Sequence, residues 1–215
     1  MQGKIFRVSL MLLLGTIIYS CIGEFEKPLP ESVRLRPTLA IPLINADLNI
    51  ENSLVLLGYP QFDLDTIDLA DFDTIYLIDT LSLALSDIQD TVEAITFLEF
   101  KIALWNDFPS YAELQVYFID DNLHQVDSLF YPNMFQIVNG IANPDDGKVI
   151  KRGFSTTSII YEPGRIEKIK PATRAVLRSR ISNMGVAPEH FDYYKDYSLS
   201  VKIGARIGID YIFDL

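Results

Sequence analysis

Cysteine occurs once in this 215-residue chain, histidine twice and tryptophan once. A single cysteine excludes an intrachain disulfide. The two histidines, His124 and His190, lie far apart and outside any ligand spacing such as H-E-x-x-H. Basic residues are also few: 18 Lys and Arg stand against 29 Asp and Glu, a formal net charge of -11. That balance argues against nucleic acid, whose phosphates need clustered Lys and Arg. No G-x-S-x-G surrounds any serine, and no G-x-G-x-x-G or Walker loop occurs. No apolar run reaches the roughly 20 residues a membrane-crossing helix needs. With 49% apolar and 22% charged residues, the composition is that of a globular domain and not of a disordered tail, a collagen or a polytopic membrane protein.

The amino-terminal segment is the most informative part of what is present. Lys4 and Arg7 give a positive start, with no acid before Glu24. Residues 8–18 are dominated by Leu, Met, Ile and Val, and Ser20 and Cys21 follow. A charged start, an apolar run of about 7–15 residues and a small residue at the cut describe a secretory signal peptide over 1–20. The other reading, a retained anchor helix extending through Ile22, needs a longer run. Ile18-Tyr19-Ser20-Cys21 resembles the lipobox of bacterial lipoproteins. That resemblance implies that the Cys21 thiol takes a diacylglycerol, that the leader is cut before it, and that the new amino group is acylated. Each buried CH₂ contributes about 0.8 kcal/mol, so several chains hold a protein on a membrane where one does so only marginally. Loss of Lys4 and Arg7 takes the charge from -11 to -13. Such acidity does not suit an anionic surface, so the lipid is expected to do the anchoring.

Residues 21–37 read as a lipidated tether, with Pro28, Pro30 and Pro37 and no periodicity. Residues 38–215 are expected to form a single domain, since a length near 180 fits one core. Charge is uneven along the mature chain. Residues 21–100 hold 15 acids and 3 bases, 101–147 hold 7 acids and 1 base, and 148–215 hold 7 acids and 12 bases. Either the two ends attract each other in the fold or each forms a solvated face; the second is the simpler expectation.

Period-two patterning dominates. In 93–105, Thr96, Leu98, Phe100, Ile102 and Leu104 share a face; in 111–119 Ala112, Leu114, Val116 and Phe118 do. With 123–130 they predict a three-stranded antiparallel meander, turned at 106–110 and at Asp120-Asp121-Asn122. Further strands are expected over 71–87, 149–161 and 197–213. Segment 173–183 reads as helix or strand, its alternating flanks favouring strand. A helical turn is expected over 165–170, and 47–57 reads as a short helix capped by Asn45 or Asp47, or as a strand. Gly204 and Gly208 fall within the last strand and mark bends or bulges. The whole predicts an all-β fold: an antiparallel β-sandwich with one or two short helices.

Candidate sites are few. Asp63, Asp65, Asp68, Asp71 and Asp73 lack the central Gly and terminal Glu of a calcium loop, so no metal and no cofactor is expected. Tyr193, Tyr194 and Tyr197, with Phe191, cluster before the last strand. Exposed, they would suit a ligand or partner contact; buried, they would pack the core. Trp105 is expected to be structural.

The layout resembles uncharacterised outer-envelope lipoproteins of the Bacteroidota. Three stretches carry the resemblance: the early acids of Cys21-Ile22-Gly23-Glu24-Phe25-Glu26, the Pro37-Thr38-Leu39-Ala40-Ile41-Pro42-Leu43 opening, and 100–121 with its Asn106-to-Pro109 turn. It implies an outer-membrane location, at the cell surface or the periplasmic face, and brings no activity. The expected function is a non-enzymatic protein-interaction or assembly module, held to the membrane through Cys21 and contacting another envelope protein. The alternative is a glycan- or hydrophobic-ligand-binding lipoprotein, and the third reading an envelope hydrolase.

Overall fold

A computed structural model describes residues 32–56, 73–83, 95–182 and 188–214. Two compact units are resolved. The smaller includes the antiparallel pair β1 (Ser32–Leu35) and β13 (Tyr211–Asp214). The larger, 36–210, is the expected antiparallel β-sandwich. The leader, Cys21 and most of the tether lie outside the described residues.

One layer of the sandwich is a four-stranded sheet in the order β10 (Gly153–Tyr161), β4 (Ile95–Asn106), β12 (Leu199–Ile209), β2 (Thr38–Leu48). The other has β3 (Thr74–Ser82), β11 (Ala172–Ser182), β5 (Tyr111–Asp120) and β6 (Gln125–Ser128), with β7 (Phe135–Ile137) also pairing β5. A small hairpin joins β8 (Ile141–Ala142) to β9 (Val149–Lys151). Alternation puts Leu98, Phe100, Ile102 and Leu104 of β4 against Ala112, Leu114, Val116 and Phe118 of β5, all fully buried in one core. Phe100 and Phe118 stack with ring centroids 5.7 Å apart, and Tyr161 meets Phe100 edge-on at 4.9 Å. These rings join the two layers.

The expected meander is not formed. β4 and β5 belong to different sheets, and the segment between them is a buried corner. Asn106, Phe108 and Ser110 are fully buried there. The Asn106 side chain accepts the Phe108 N–H at 2.9 Å and donates to the Val138 carbonyl at 3.2 Å. An Asx turn thus takes the chain between layers instead of back along one. The β5–β6 hairpin does form, with Asp120 accepting from Asn122 and His124 and Leu123 at φ +66°.

Of segment 173–183, residues 173–182 are strand, inside β11, and 183 lies outside the described residues. The expected strand 197–213 is broken at Asp210 into β12 and β13, which pair in different sheets. The register slips at both glycines: Leu43 of β2 is left over beside Gly204, and Thr96 of β4 beside Gly208. The strand expected over 149–161 is interrupted at Arg152, giving β9 and β10.

Helix α1 (Ile50–Leu56) starts later than expected, with Asn49 as its cap: the Asn52 N–H donates to Asn49 Oδ1 at 2.8 Å. Asn45 and Asp47, the expected caps, belong to β2. Ser53 of α1 accepts the Ile78 N–H at 2.9 Å, so the helix satisfies part of the outer edge of β3. Helix α2 (Pro163–Ile169) begins with Pro at its first turn, where a missing N–H costs nothing, and buries Ile166 and Ile169.

The two charged ends of the chain attract each other. β11 and β12, from the basic carboxy-terminal third, are inner strands flanked by strands from the acidic part. Arg180 pairs with Glu113, Arg206 with Glu99, Arg152 with Asp107 and Arg165 with Asp127. The expectation of two separate solvated faces is thereby corrected. Antiparallel pairing interleaves sequence halves, and opposite charges on adjacent strands stabilise that pairing.

Candidate functional site

The tyrosines singled out in the sequence are divided by the fold. Tyr194 is fully buried, hydrogen-bonds Ser110 through its hydroxyl and packs on Phe108. A side chain without exposed surface contacts no partner, so Tyr194 leaves the candidate set. Tyr197 is half-buried. Its hydroxyl accepts the Val149 N–H at 3.1 Å and donates to the Gly147 carbonyl at 3.3 Å, fixing the turn before β9. Burial raises its pKa above the ordinary tyrosine value. Tyr193 lies under the Lys148 ammonium, 5.3 Å from the ring centroid, and is the member best placed for contact. Tyr194 and Tyr197 both pack on Phe108 and brace the Asn106–Ser110 corner. Ser110 and Phe108, buried inside a stretch of turn composition, were the missed signal.

His124 is exposed on the β5–β6 turn, 3.6 Å from Asp120, with no serine hydroxyl bonded to it among the described residues. The His190 and Phe191 side chains, the lipidation residue Cys21 and the acids at 63, 65, 68 and 71 lie outside the described residues. Asp73 is exposed, and no cluster of metal-ligating side chains occurs among the described residues. Ser198 donates to Asp107 at 3.1 Å, but the same carboxylate is held by Arg152.

The most connected polar group is Arg165. Its Nε donates to Asp127 at 3.0 Å, and one terminal nitrogen donates to the Ser128 carbonyl at 2.7 Å and to the Tyr161 hydroxyl at 2.9 Å. The guanidinium lies 3.9 Å from the Tyr161 ring centroid. Burial, more than the Asp127 charge beside it, pushes the Tyr161 phenol well above the ordinary range. Every group is satisfied, so the assembly latches α2 to the β5–β6 hairpin.

A different arrangement lies on the outer face of the four-stranded sheet. Here β12 presents Lys202, Gly204 and Arg206, and β4 presents Lys101, Ala103 and Trp105. Gly204 sits between Lys101 on one neighbour and Pro42 on the other. The missing side chain opens a shallow trough of about 440 Å³, continued by a second of about 300 Å³; both are lined by Pro42, Lys101 and Gly204. A Cβ at Gly204 would meet only the Ile41 carbonyl, at an ordinary 3.4 Å. Packing does not demand glycine there; the trough does. Lys101 and Lys202 are exposed and form no ion pair among the described residues, while Glu99 holds Arg206 at 3.8 Å. Lys202 lies 5.4 Å from the Trp105 ring, which in turn lies 5.2 Å from the half-exposed Phe154 ring. The trough therefore offers two cations, unpaired with any carboxylate among the described residues, beside an aromatic pair in a chain of formal net charge -11. Its one sequence signal is Gly204, expected as a bend or bulge and found at a register slip.

No family model matches this chain, and no curated protein matches it in sequence. Among solved structures, a candidate secreted protein from Parabacteroides distasonis aligns over 61% of this chain and 37% of its own, at 12% identity and a TM-score of 0.43. The enzymatically active domain of bacteriophage CBA120 tailspike protein 4 aligns over 86% and 20%, at 11% identity and 0.35. The VP2 subviral particle of infectious bursal disease virus gives 82% and 33%, at 12% and 0.33. This chain thus spans well under half of each of those chains, and no functional argument rests on them. No helix among the described residues is long and apolar enough to cross a membrane.

Proposed function

We propose that this chain is a non-enzymatic binding module of the bacterial envelope, anchored in the outer membrane by lipid on Cys21, which holds an anionic partner on the outer face of the four-stranded sheet. The observation that carries the binding half is the Gly204 trough flanked by Lys101 and Lys202, two exposed ammonium groups without a carboxylate partner among the described residues. Placed on a rigid sheet, they lose little by accepting a carboxylate or phosphate, and the acidic remainder of the chain repels ligands that miss the trough. The acidic segment of another envelope protein fits this chemistry. An acidic glycan is the second reading, favoured by Trp105 and Phe154 beside Lys202, since sugar rings stack on aromatic faces. The anchoring half rests on the sequence, where the sole cysteine follows the apolar run.

Both halves can be tested in one bacterial strain set. Full-length chain is expected to incorporate a palmitate analogue and fractionate with outer membranes, and Cys21→Ala to do neither; equal behaviour removes the anchor. Protease shaving of intact cells separates surface from periplasmic face. For binding, detergent-extracted full chain is passed over immobilised poly-glutamate and polygalacturonate. Retention that falls with salt and is lost in Lys101→Glu/Lys202→Glu and in Gly204→Val supports the trough. Retention unchanged in all of these variants removes it, and preference between the two matrices decides protein against glycan.

A further inference from the structure

β10 is an edge strand of the four-stranded sheet, and among the described residues only the segment 138–139 approaches it, at its first residues, where the Val138 N–H donates to Ser155 Oγ at 2.9 Å. β10 runs Gly-Phe-Ser-Thr-Thr-Ser-Ile-Ile-Tyr from 153 to 161, without a charge or a proline, and pairs with β4 in unbroken register over all nine residues. Among the described residues no other strand pairs its outer side. Long, flat, uncharged edges are ready templates for another strand. Phe154 is 50% and Ile160 58% exposed, and both lie on the outer face of the sheet. Exposed Val138, Ile141 and Ile150 stand on the segments leading into β10.

The strand is also complementary to itself. We infer that two copies of this chain pair antiparallel through β10, with Thr157 on the two-fold axis, to make one continuous eight-stranded sheet. In that register Phe154 faces the second copy's Ile160, and Thr156 faces its Ser158. An aromatic opposite a β-branched residue and a hydroxyl opposite a hydroxyl are favourable cross-strand pairs, and two-fold symmetry makes each of them twice. One step outside the strand, Arg152 falls opposite Glu162 of the second copy. Arg152 is partly exposed, and its Asp107 and Ser200 bonds use Nε and one terminal nitrogen, leaving the other terminal nitrogen to donate. Glu162 is exposed at the start of α2, and its side chain neither caps the helix nor forms an ion pair among the described residues. The register that matches apolar with apolar in the middle therefore also matches opposite charges at both ends.

The pairing is independent of the trough and survives its failure. It predicts a single self-facing position. Opposed residues in an antiparallel pair have Cα atoms about 4.5–5.5 Å apart, within disulfide range, whereas positions two residues off register are about 7–8 Å apart and beyond it. In cells expressing the full chain and treated with a mild oxidant, Thr157→Cys is expected to give a disulfide-linked dimer above the background of the unaltered chain. Ser158→Cys is expected to stay at background, and Thr156→Cys/Ser158→Cys to cross-link. Ile160→Lys added to Thr157→Cys is expected to lower the dimer about tenfold, with an unchanged melting temperature because Ile160 already faces solvent. Glu162→Arg is expected to lower it less. A Thr157→Cys chain that stays monomeric, a Ser158→Cys chain that cross-links equally well, or a dimer indifferent to Ile160→Lys overturns the inference.

Discussion

β2 and β10 are the two edges of one sheet, and they treat their free backbone groups in opposite ways. β2 carries Pro42, which has no N–H to offer, and a register slip at Leu43 that bends the strand. Asn45 and Asp47 project from its outer face. β10 has no proline, no charge and no slip. The edge of β3 in the other sheet is treated a third way, by Ser53 of α1 taking up the Ile78 N–H. Three edges, of which two are guarded, teach that the bare one is not a general property of this sandwich. Guarding costs little in sequence, so its omission at β10 marks the side where a strand is meant to be added.

The comparison can be broken most severely at the root of β10. A Cβ at Gly153 would stand 2.0 Å from the Val138 carbonyl oxygen and 2.6 Å from that of Asn139. Both are backbone, and neither can swing away. Gly153→Ala is expected to cost about 3 kcal/mol or more, seen as a melting temperature about 6–12 °C lower or as loss of folded protein. Next comes Arg165, which ties the chain just beyond β10 to the β5–β6 hairpin. Arg165→Ala leaves Asp127, the Ser128 carbonyl and the Tyr161 hydroxyl without their donor. With about a quarter of the arginine side chain exposed, the expected loss is roughly 2 kcal/mol in denaturant melts, below the value for a fully buried pair. Arg165→Lys is expected to recover less than half of it, because one ammonium cannot reproduce the fork.

Tyr161, the last residue of β10, gives a pH signature. Its folded pKa lies above the ordinary 10.0, so the folded state favours the protonated phenol. The stabilisation is complete below pH about 10 and is lost as the unfolded phenol ionises above it. Tyr197, raised in the same direction by burial, adds to that fall. Thermal melts from pH about 8 to 11 should be flat and then decline, and Tyr161→Phe should decline less steeply. The smallest effect is expected at the guarded edge: Pro42→Val should change stability by under about 1 kcal/mol, yet raise light scattering by giving β2 a free N–H of the kind β10 already has.

Strand positions were legible because period two is a local signal. Leu98 to Leu104 and Ala112 to Phe118 face the core as their alternation requires. Sheet membership was not legible. Segment 106–110 has the composition of a hairpin turn, and only the burial of Phe108 and Ser110 makes it a corner. Which strand pairs with which depends on contacts about 100 residues apart, such as Arg206 of β12 against Glu99 of β4. The cap of α1 moved from Asn45 or Asp47 to Asn49 because β2 pairs with β12 through Leu48, and pairing outweighs capping preference. The trough escaped notice for a related reason: Lys101, Lys202 and Gly204 come together only when β4 and β12 are laid side by side.

The position of β11 and β12 governs how the chain reaches this state. Each is an inner strand, and each follows in sequence both of the strands it lies between. β2 and β4 cannot bond to each other, nor can β3 and β5; each pair waits for the strand that lies between them. A nascent chain delivered from its amino terminus therefore exposes the alternating apolar faces of β2, β3, β4 and β5 until β11 and β12 arrive. Pairing across such sequence separations is slow, since loop closure precedes any compensating contact. A chain truncated before β12 keeps the apolar faces of β2 and β4 without the strand that joins them, and is expected to aggregate.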